Sequence, residues 1–362
     1  MSRFLAAAVV AAALVLALSS RPSQLHLLTA QEAEPAPGPT PQALPTEESP
    51  QLVEVADSAD AMVTEPVEDA APAVVLYEGE EEAPLYYGDY VRPQRAPPAP
   101  VGSTDELQAR IDELLLELPG QIGIAVLRPG EVLFSRDEGR AFPLASVAKL
   151  FILGAYLDRL ALEQRPPDDW EYDLLDAMIG YSDNDAAEYL WQVLGGMEAM
   201  QAFLNGRGFF DFVPAEDFSW GGSADTPTEV AAFISQLTDG TLLSPESTAI
   251  ALSLLGQVTE SQRWGITAGI ASTDPDAVIL LKDGWYPEDS GWLVNSAGTV
   301  IPSNGAPPYA IVILGGSFLS YEDGLDAVNE VATLTNGLFL RLSAPPPAID
   351  DVRYREWLYP PS

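Results

Sequence analysis

Apolar positions recur at helical spacing over 105–118, where Leu107, Ile111, Leu114, Leu115 and Leu118 share one side. Ser103 or Thr104 can cap this helix, and Pro119-Gly120 ends it. Two short apolar runs follow, Gln121–Leu127 and Glu131–Phe134, and Pro129-Gly130 between them reads as a hairpin turn. The middle of the chain is helical in period, in pieces at 146–162, 170–178, 185–194, 197–204, 228–237 and 245–258. Strand patterns return at Ala277–Trp285, Trp292–Val300 and Tyr309–Leu314, and an amphipathic stretch over 325–342 closes the series. Short connections make the three late strands antiparallel, and the first hairpin can join their sheet. The expected fold is an α/β sandwich. A five-stranded antiparallel sheet carries the terminal helices on one face and an all-helical lobe on the other.

The two ends of the chain carry a different pattern. Arg3 precedes an unbroken apolar run from Phe4 to Leu18, with small residues at Ala17, Ser19 and Ser20. That run is short for a membrane span of roughly 20 residues, so residues 1–30 read as a cleaved signal peptide, with an N-terminal anchor as the alternative. Residues 31–102 hold 13 Pro and many Glu and Ala with no sustained period, and read as a disordered acidic linker. Leu85-Tyr86-Tyr87 with Tyr90 is a mild exception in it. Residues 103–343 form the expected folded domain, and 344–362 a Pro-rich, then aromatic, tail.

Composition removes several chemistries. There is no cysteine, so no disulfide, thiolate nucleophile, Cys-held metal or lipidated cysteine is available. The single histidine, His26, lies beside the N-terminal apolar run, so a Ser-His-Asp triad or a histidine zinc site in the domain is excluded. No metal and no cofactor is expected. The net charge is −37, of which residues 103–345 carry −25. A surface this acidic repels phosphate backbones, which argues against nucleic acid as a partner, and it slows the approach of anionic substrates.

The chain uses Arg fifteen times and Lys twice, at Lys149 and Lys282. Lysine can be driven neutral and serve as a base, a task closed to arginine. Lys149 follows Ser146 by three residues at the start of an apolar helix, so the two share a face. The pair also fits a plain capping serine followed by a surface lysine. Ser182-Asp183-Asn184 opens another helix and serves equally as an N-cap. Lys282-Asp283-Gly284 ends a four-residue apolar strand, where an ordinary turn is the simpler reading of those three residues alone.

Taken together, Ser146-x-x-Lys149, Ser182-Asp183-Asn184 and Lys282-Asp283-Gly284 resemble, in order, the motif set of class A β-lactamases and penicillin-binding proteins. The resemblance covers about residues 103–343. It implies that Ser146 is the acylated nucleophile and Lys149 the general base or proton relay. It implies that Ser182 passes a proton to the leaving nitrogen and Asn184 binds the substrate amide. Lys282 would attract the substrate carboxylate and help keep Lys149 deprotonated, with Gly284 and Trp285 beside the substrate. The backbone N–H groups of Ser146 and Trp285 would form the oxyanion hole.

Three departures stand out. Ser146 and Ser182 are 36 residues apart, which is short for the family. Asp283 replaces the family's hydroxyl, whose role is to bond the substrate carboxylate. An ionised Asp283 would repel that group unless it turns away or pairs with an arginine, for which Arg263 is the candidate. The family's E-x-x-L-N loop, the source of its deacylation base, is missing. Gln201-x-x-Leu204-Asn205 mimics it without an acid, and Glu216 and Asp217 are the nearest substitutes. The expected function is an exported, monomeric active-site serine hydrolase acting on a β-lactam or peptidoglycan-like amide, tethered to a membrane if residues 4–18 are retained. A D,D-peptidase or penicillin-binding protein with slow deacylation, and a non-catalytic cell-wall module, are the alternatives.

Overall fold

The computed structural model describes residues 96–217 and 219–343. The expected signal or anchor, most of the acidic linker, His26 and the aromatic tail lie outside the described residues.

Helix α1 (Thr104–Glu117) starts where expected. The Ser103 hydroxyl accepts from Glu106 N at 3.2 Å, and the Glu106 carboxylate accepts from Gly102 N at 2.7 Å, so two orphan donors at its start are satisfied. Val101 is buried ahead of this cap, and its carbonyl accepts from Arg341 at 2.6 Å, so packing begins just before the expected boundary at 103.

Strands β1 (Gln121–Arg128) and β2 (Glu131–Arg136) form the first hairpin. Strands β3 (Phe142–Pro143) and β4 (Ala224–Asp225) make a two-residue antiparallel pair that hydrophobic alternation is too short to show. The helical middle comprises α2 (Lys149–Leu162), α3 (Asp169–Gly180), α4 (Asn184–Leu194), α5 (Gly196–Asn205), α6 (Pro227–Asp239), α7 (Pro245–Leu255) and the short α8 (Ile270–Thr273). The late strands are β5 (Val278–Glu288), β6 (Gly291–Ile301) and β7 (Tyr309–Phe318), and α9 (Tyr321–Ser343) ends the domain.

The five strands form one antiparallel sheet, as expected, and their order is β2-β1-β7-β6-β5. Its central strand β7 is buried almost end to end. Helices α1 and α9 cover one face and α6 the other, with the lobe of α2 to α5 and α7 beyond it. Helix α2 is apolar nearly all round because it runs through the lobe: Leu150 to Leu157 are all buried. Strand β5 is an edge strand, and this edge borders the start of α2.

Two buried carboxylates frame the lobe in opposite ways. Glu171, 1% exposed, accepts from Arg165 at 2.5 and 2.8 Å, from Tyr156 at 2.6 Å and from Asp168 N at 2.8 Å. Burial alone would raise its pKa, but these four bonds outweigh burial and hold it at about 2. Asp225 also has no exposed surface, yet its Oδ2 has no partner, and Oδ1 accepts only from Thr226 N at 2.6 Å. Burial first, then the charges of Glu229 and Asp211, push it up to about 8.

Candidate functional site

The chain enters the site through strained backbone held by a neighbouring loop. Leu144 N donates to Ser223 O at 2.8 Å and Ala145 N to Gly221 O at 3.0 Å. Ala145 adopts φ +49°, which is costly for a residue with a Cβ. The expected helix from Ser146 begins as a 3₁₀ turn over Ala145–Ala148 and becomes α-helical at Lys149. The tighter turn aims Ser146 outward, half-buried, while Lys149 points inward with no exposed surface.

Both lysines reach one hydroxyl. Lys149 Nζ donates to Ser182 Oγ at 3.1 Å, to Asn184 Oδ1 at 2.8 Å and to the Ser182 carbonyl. Lys282 Nζ donates to the same Ser182 Oγ at 2.8 Å and to Asp283 O at 3.0 Å, and Lys282 is also wholly buried. The two Nζ atoms, 3.1 and 2.8 Å from one oxygen, therefore lie near each other. Ser182 is presented by a second left-handed residue, φ +61°, just before α4, where Asp183 caps the helix by accepting from Ala186 N at 2.7 Å. The capping and convergent readings of Ser182-Asp183-Asn184 hold together: Asp183 caps while its neighbours meet Lys149.

Strand β5 closes the other side. A Cβ on Gly284 would lie 2.6 Å from Ser146 N and 3.0 Å from Val147 N, so only glycine lets the strand approach the serine this closely. Trp285, the next residue, is half-buried, with its ring against Trp264 (5.8 Å between centroids) and Tyr321 (6.0 Å).

Asp283 turns away from the lysines. Strand alternation puts it on the face opposite Lys282 and Gly284, opposite Ser296 in register. It is wholly buried, and its Oδ2 accepts from Trp264 N at 3.2 Å. Burial raises its carboxyl to about 7 against the opposing pull of Ser296, Trp264 N, Lys282 and Arg263. Arg263 forms no ion pair with it among the described residues. One arm of its guanidinium donates to Ile279 O at 3.2 Å, and Nη1 is buried without a partner.

Glu216 and Asp217 sit exposed in a turn. Ser219 N donates to Asp217 at 3.0 Å and, with the Ser219 hydroxyl, holds that carboxyl below its usual range, which weakens it as a base. Gln201 lies on α5 as expected.

Two residues of this site escaped the sequence reading. The Trp220 ring covers the Lys149 ammonium, 5.0 Å from Nζ to the centroid. Its indole N–H donates to Glu188 at 3.2 Å. Glu188 lies one turn after Asn184 on α4, a spacing that puts the two on one helix face and could have drawn notice. Trp220 stands beside Gly221-Gly222 with no periodic signal.

Among the described residues no cluster of His, Cys, Asp and Glu is arranged to hold a metal ion, and no helix is long and apolar enough to cross a membrane.

The described domain has the fold of β-lactamases. Residues 171–339 match the beta-lactamase enzyme family. That range contains Ser182, Asn184 and Lys282; Ser146 and Lys149 precede it. A class A β-lactamase from Bacteroides cellulosilyticus superposes with TM-score 0.58 at 18% identity, covering 67% of this chain and all of that one. LppW of Mycobacterium tuberculosis, a lipoprotein by name, is 29% identical over 225 residues, 59% of this chain and 70% of its own length. A beta-lactamase of Rhodobacter capsulatus is 26% identical over 268 residues, covering 64% of this chain and 87% of its own.

Proposed function

We propose that the protein is an exported active-site serine hydrolase, acylated at Ser146 by a β-lactam or related amide and then hydrolysed. The observation that carries this reading is the meeting of Lys149 and Lys282 on Ser182 Oγ, beside a half-exposed Ser146. A structural domain gains nothing from two buried lysines on one hydroxyl, since each costs desolvation. Burial and a neighbouring cation both favour the neutral amine that a base needs.

In the step proposed, Ser146 Oγ attacks the carbonyl carbon and its proton passes to Lys149. The C–O bond forms and the C–N bond breaks. The proton travels through Ser182 Oγ to the leaving nitrogen, so the acyl-enzyme carries no net change in charge. The N–H groups of Ser146 and Trp285 face the oxygen as it becomes negative. Water then cleaves the ester.

A second reading, a D,D-peptidase or penicillin-binding protein with a persistent acyl-enzyme, draws support from one feature. The Trp220 ring covers Lys149, and the acids of the same loop face solvent. On either reading the chain acts in the cell envelope. The N-terminal apolar run and the lipoprotein name of a relative support this placement. A chain without cysteine would be held by residues 4–18, or released, rather than lipidated on cysteine. The domain acts as a monomer in this proposal.

The test is β-lactam consumption by the full chain, followed by ring-opening absorbance, beside Ser146→Ala. Catalytic consumption lost in the variant supports hydrolysis. One equivalent consumed and no more supports the persistent acyl-enzyme. Equal consumption by both proteins would refute Ser146 as nucleophile.

A further inference from the structure

The side of the cleft that would receive a substrate carboxylate is not built for one. Asp283 takes the sequence place of the hydroxyl that the resemblance implies, and turns away beneath Trp264 with its Oδ1 unpartnered. Arg263, before Trp264, and Tyr321 of α9 are the charged and titratable groups near it, and Lys282 acts on it from the opposite face of its own strand. Arg263, the cation that could compensate, is half-buried and spends one arm on Ile279 O. Three half-buried rings cover this face. Trp264 packs on Trp285, Trp285 on Tyr321, and Trp292 extends the row at 5.7 Å from Tyr321. Trp285 directly follows Gly284, the residue at which the edge strand β5 lies against Ser146. The net charge of −37 opposes anions before they arrive.

Resting on the reading of Ser146 as nucleophile, we infer that the site takes an uncharged ester or amide whose aromatic or apolar group lies against Trp264, Trp285 and Tyr321, in place of a carboxylate. The chemistry is that of the acylation step. What changes is the group carried beside the leaving nitrogen or oxygen. Lys282 keeps its bond to Ser182 and serves the proton path rather than anion capture.

The experiment compares three forms of one acyl donor on the full chain: benzylpenicillin, its methyl ester and its benzyl ester. Acylation of Ser146 is timed by intact mass. The methyl ester is expected to react about tenfold faster than the acid. The benzyl ester should gain about fivefold more, a gain lost in Trp285→Ala. In Asp283→Thr, and in the near-isosteric Asp283→Asn, the acid should recover about tenfold relative to its methyl ester. An acid that reacts as fast as its esters, or a ratio unmoved by both Asp283 variants, overturns the inference and leaves the nucleophile standing. No adduct from any of the three overturns the nucleophile, and the inference with it.

Discussion

The two walls of the cleft are built to different standards. On the wall made by the start of α2, the start of α4 and strand β5, both lysines are sealed in and converge on Ser182, and Gly284 presses against the serine's own N–H. On the wall made by residues 216–223, the acids face solvent and the group turned to Lys149 is an indole. The first wall has what is needed to move a proton off a hydroxyl. The second has no buried carboxylate aimed at the same place among the described residues. Acylation and deacylation are separate tasks, and on the proposed function the groups that would serve them are separable in space.

The largest effect falls on the first wall. Ser146→Ala should abolish acylation, a loss of about 10⁶ measured by adduct formation. Lys149→Ala should cost about 10³ in acylation rate, as removal of a general base does, with Asn184 and Ser182 left in place. The second wall should respond in the opposite sense. Trp220→Ala opens Lys149 to water and should shorten acyl-enzyme lifetime about tenfold. Glu188→Ala, which frees the indole N–H, should shorten it about threefold, and Glu188→Gln, which keeps an acceptor, less. If Glu216→Gln or Asp217→Asn instead lengthens the lifetime severalfold, the second wall does hold a base, and the contrast fails.

Smaller effects test the frame around the cleft. Removing Arg165 strands the buried Glu171 charge and should cost about 3 kcal/mol of stability in denaturant unfolding at pH 7. Glu171 has a depressed folded pKa, so its contribution is present above about 4.5 and lost as pH falls toward about 2. Asp225 runs the other way. It stays protonated in the folded protein up to about pH 8, while the unfolded chain ionises near 3.8. It therefore erodes stability as pH rises from about 4 to 8. Asp225→Asn should raise Tm at pH 8 and leave it nearly unchanged at pH 4.

Much of this was legible because the chain is sparing with the residues that matter. Two lysines, both in short motifs, single out the first wall without any structure. Antiparallel pairing of the late strands followed from short connections, and the Asp105–Leu118 period gave α1 with its Ser103 cap. The pair β3 and β4 could not be read, because two residues hold no alternation. Neither could Trp220. A loop tryptophan takes its place from tertiary ties, here the bonds from Leu144 and Ala145 to its loop and from the indole to Glu188. Asp283 was legible as a departure, and strand alternation assigned its face. That Trp264 seals it required the packing of a segment nineteen residues earlier.

The central claim is that Lys149 and Lys282 make Ser146 an acylating nucleophile. Intact-mass spectrometry of the full chain with excess benzylpenicillin and its methyl ester, beside Ser146→Ala and Lys149→Ala, tests it most directly. The account predicts a single adduct on the unaltered chain, formed faster with the ester, at least about 10² slower in Lys149→Ala and missing in Ser146→Ala. An adduct that persists in Ser146→Ala, or an unaltered chain that gains no mass from either compound, would contradict it.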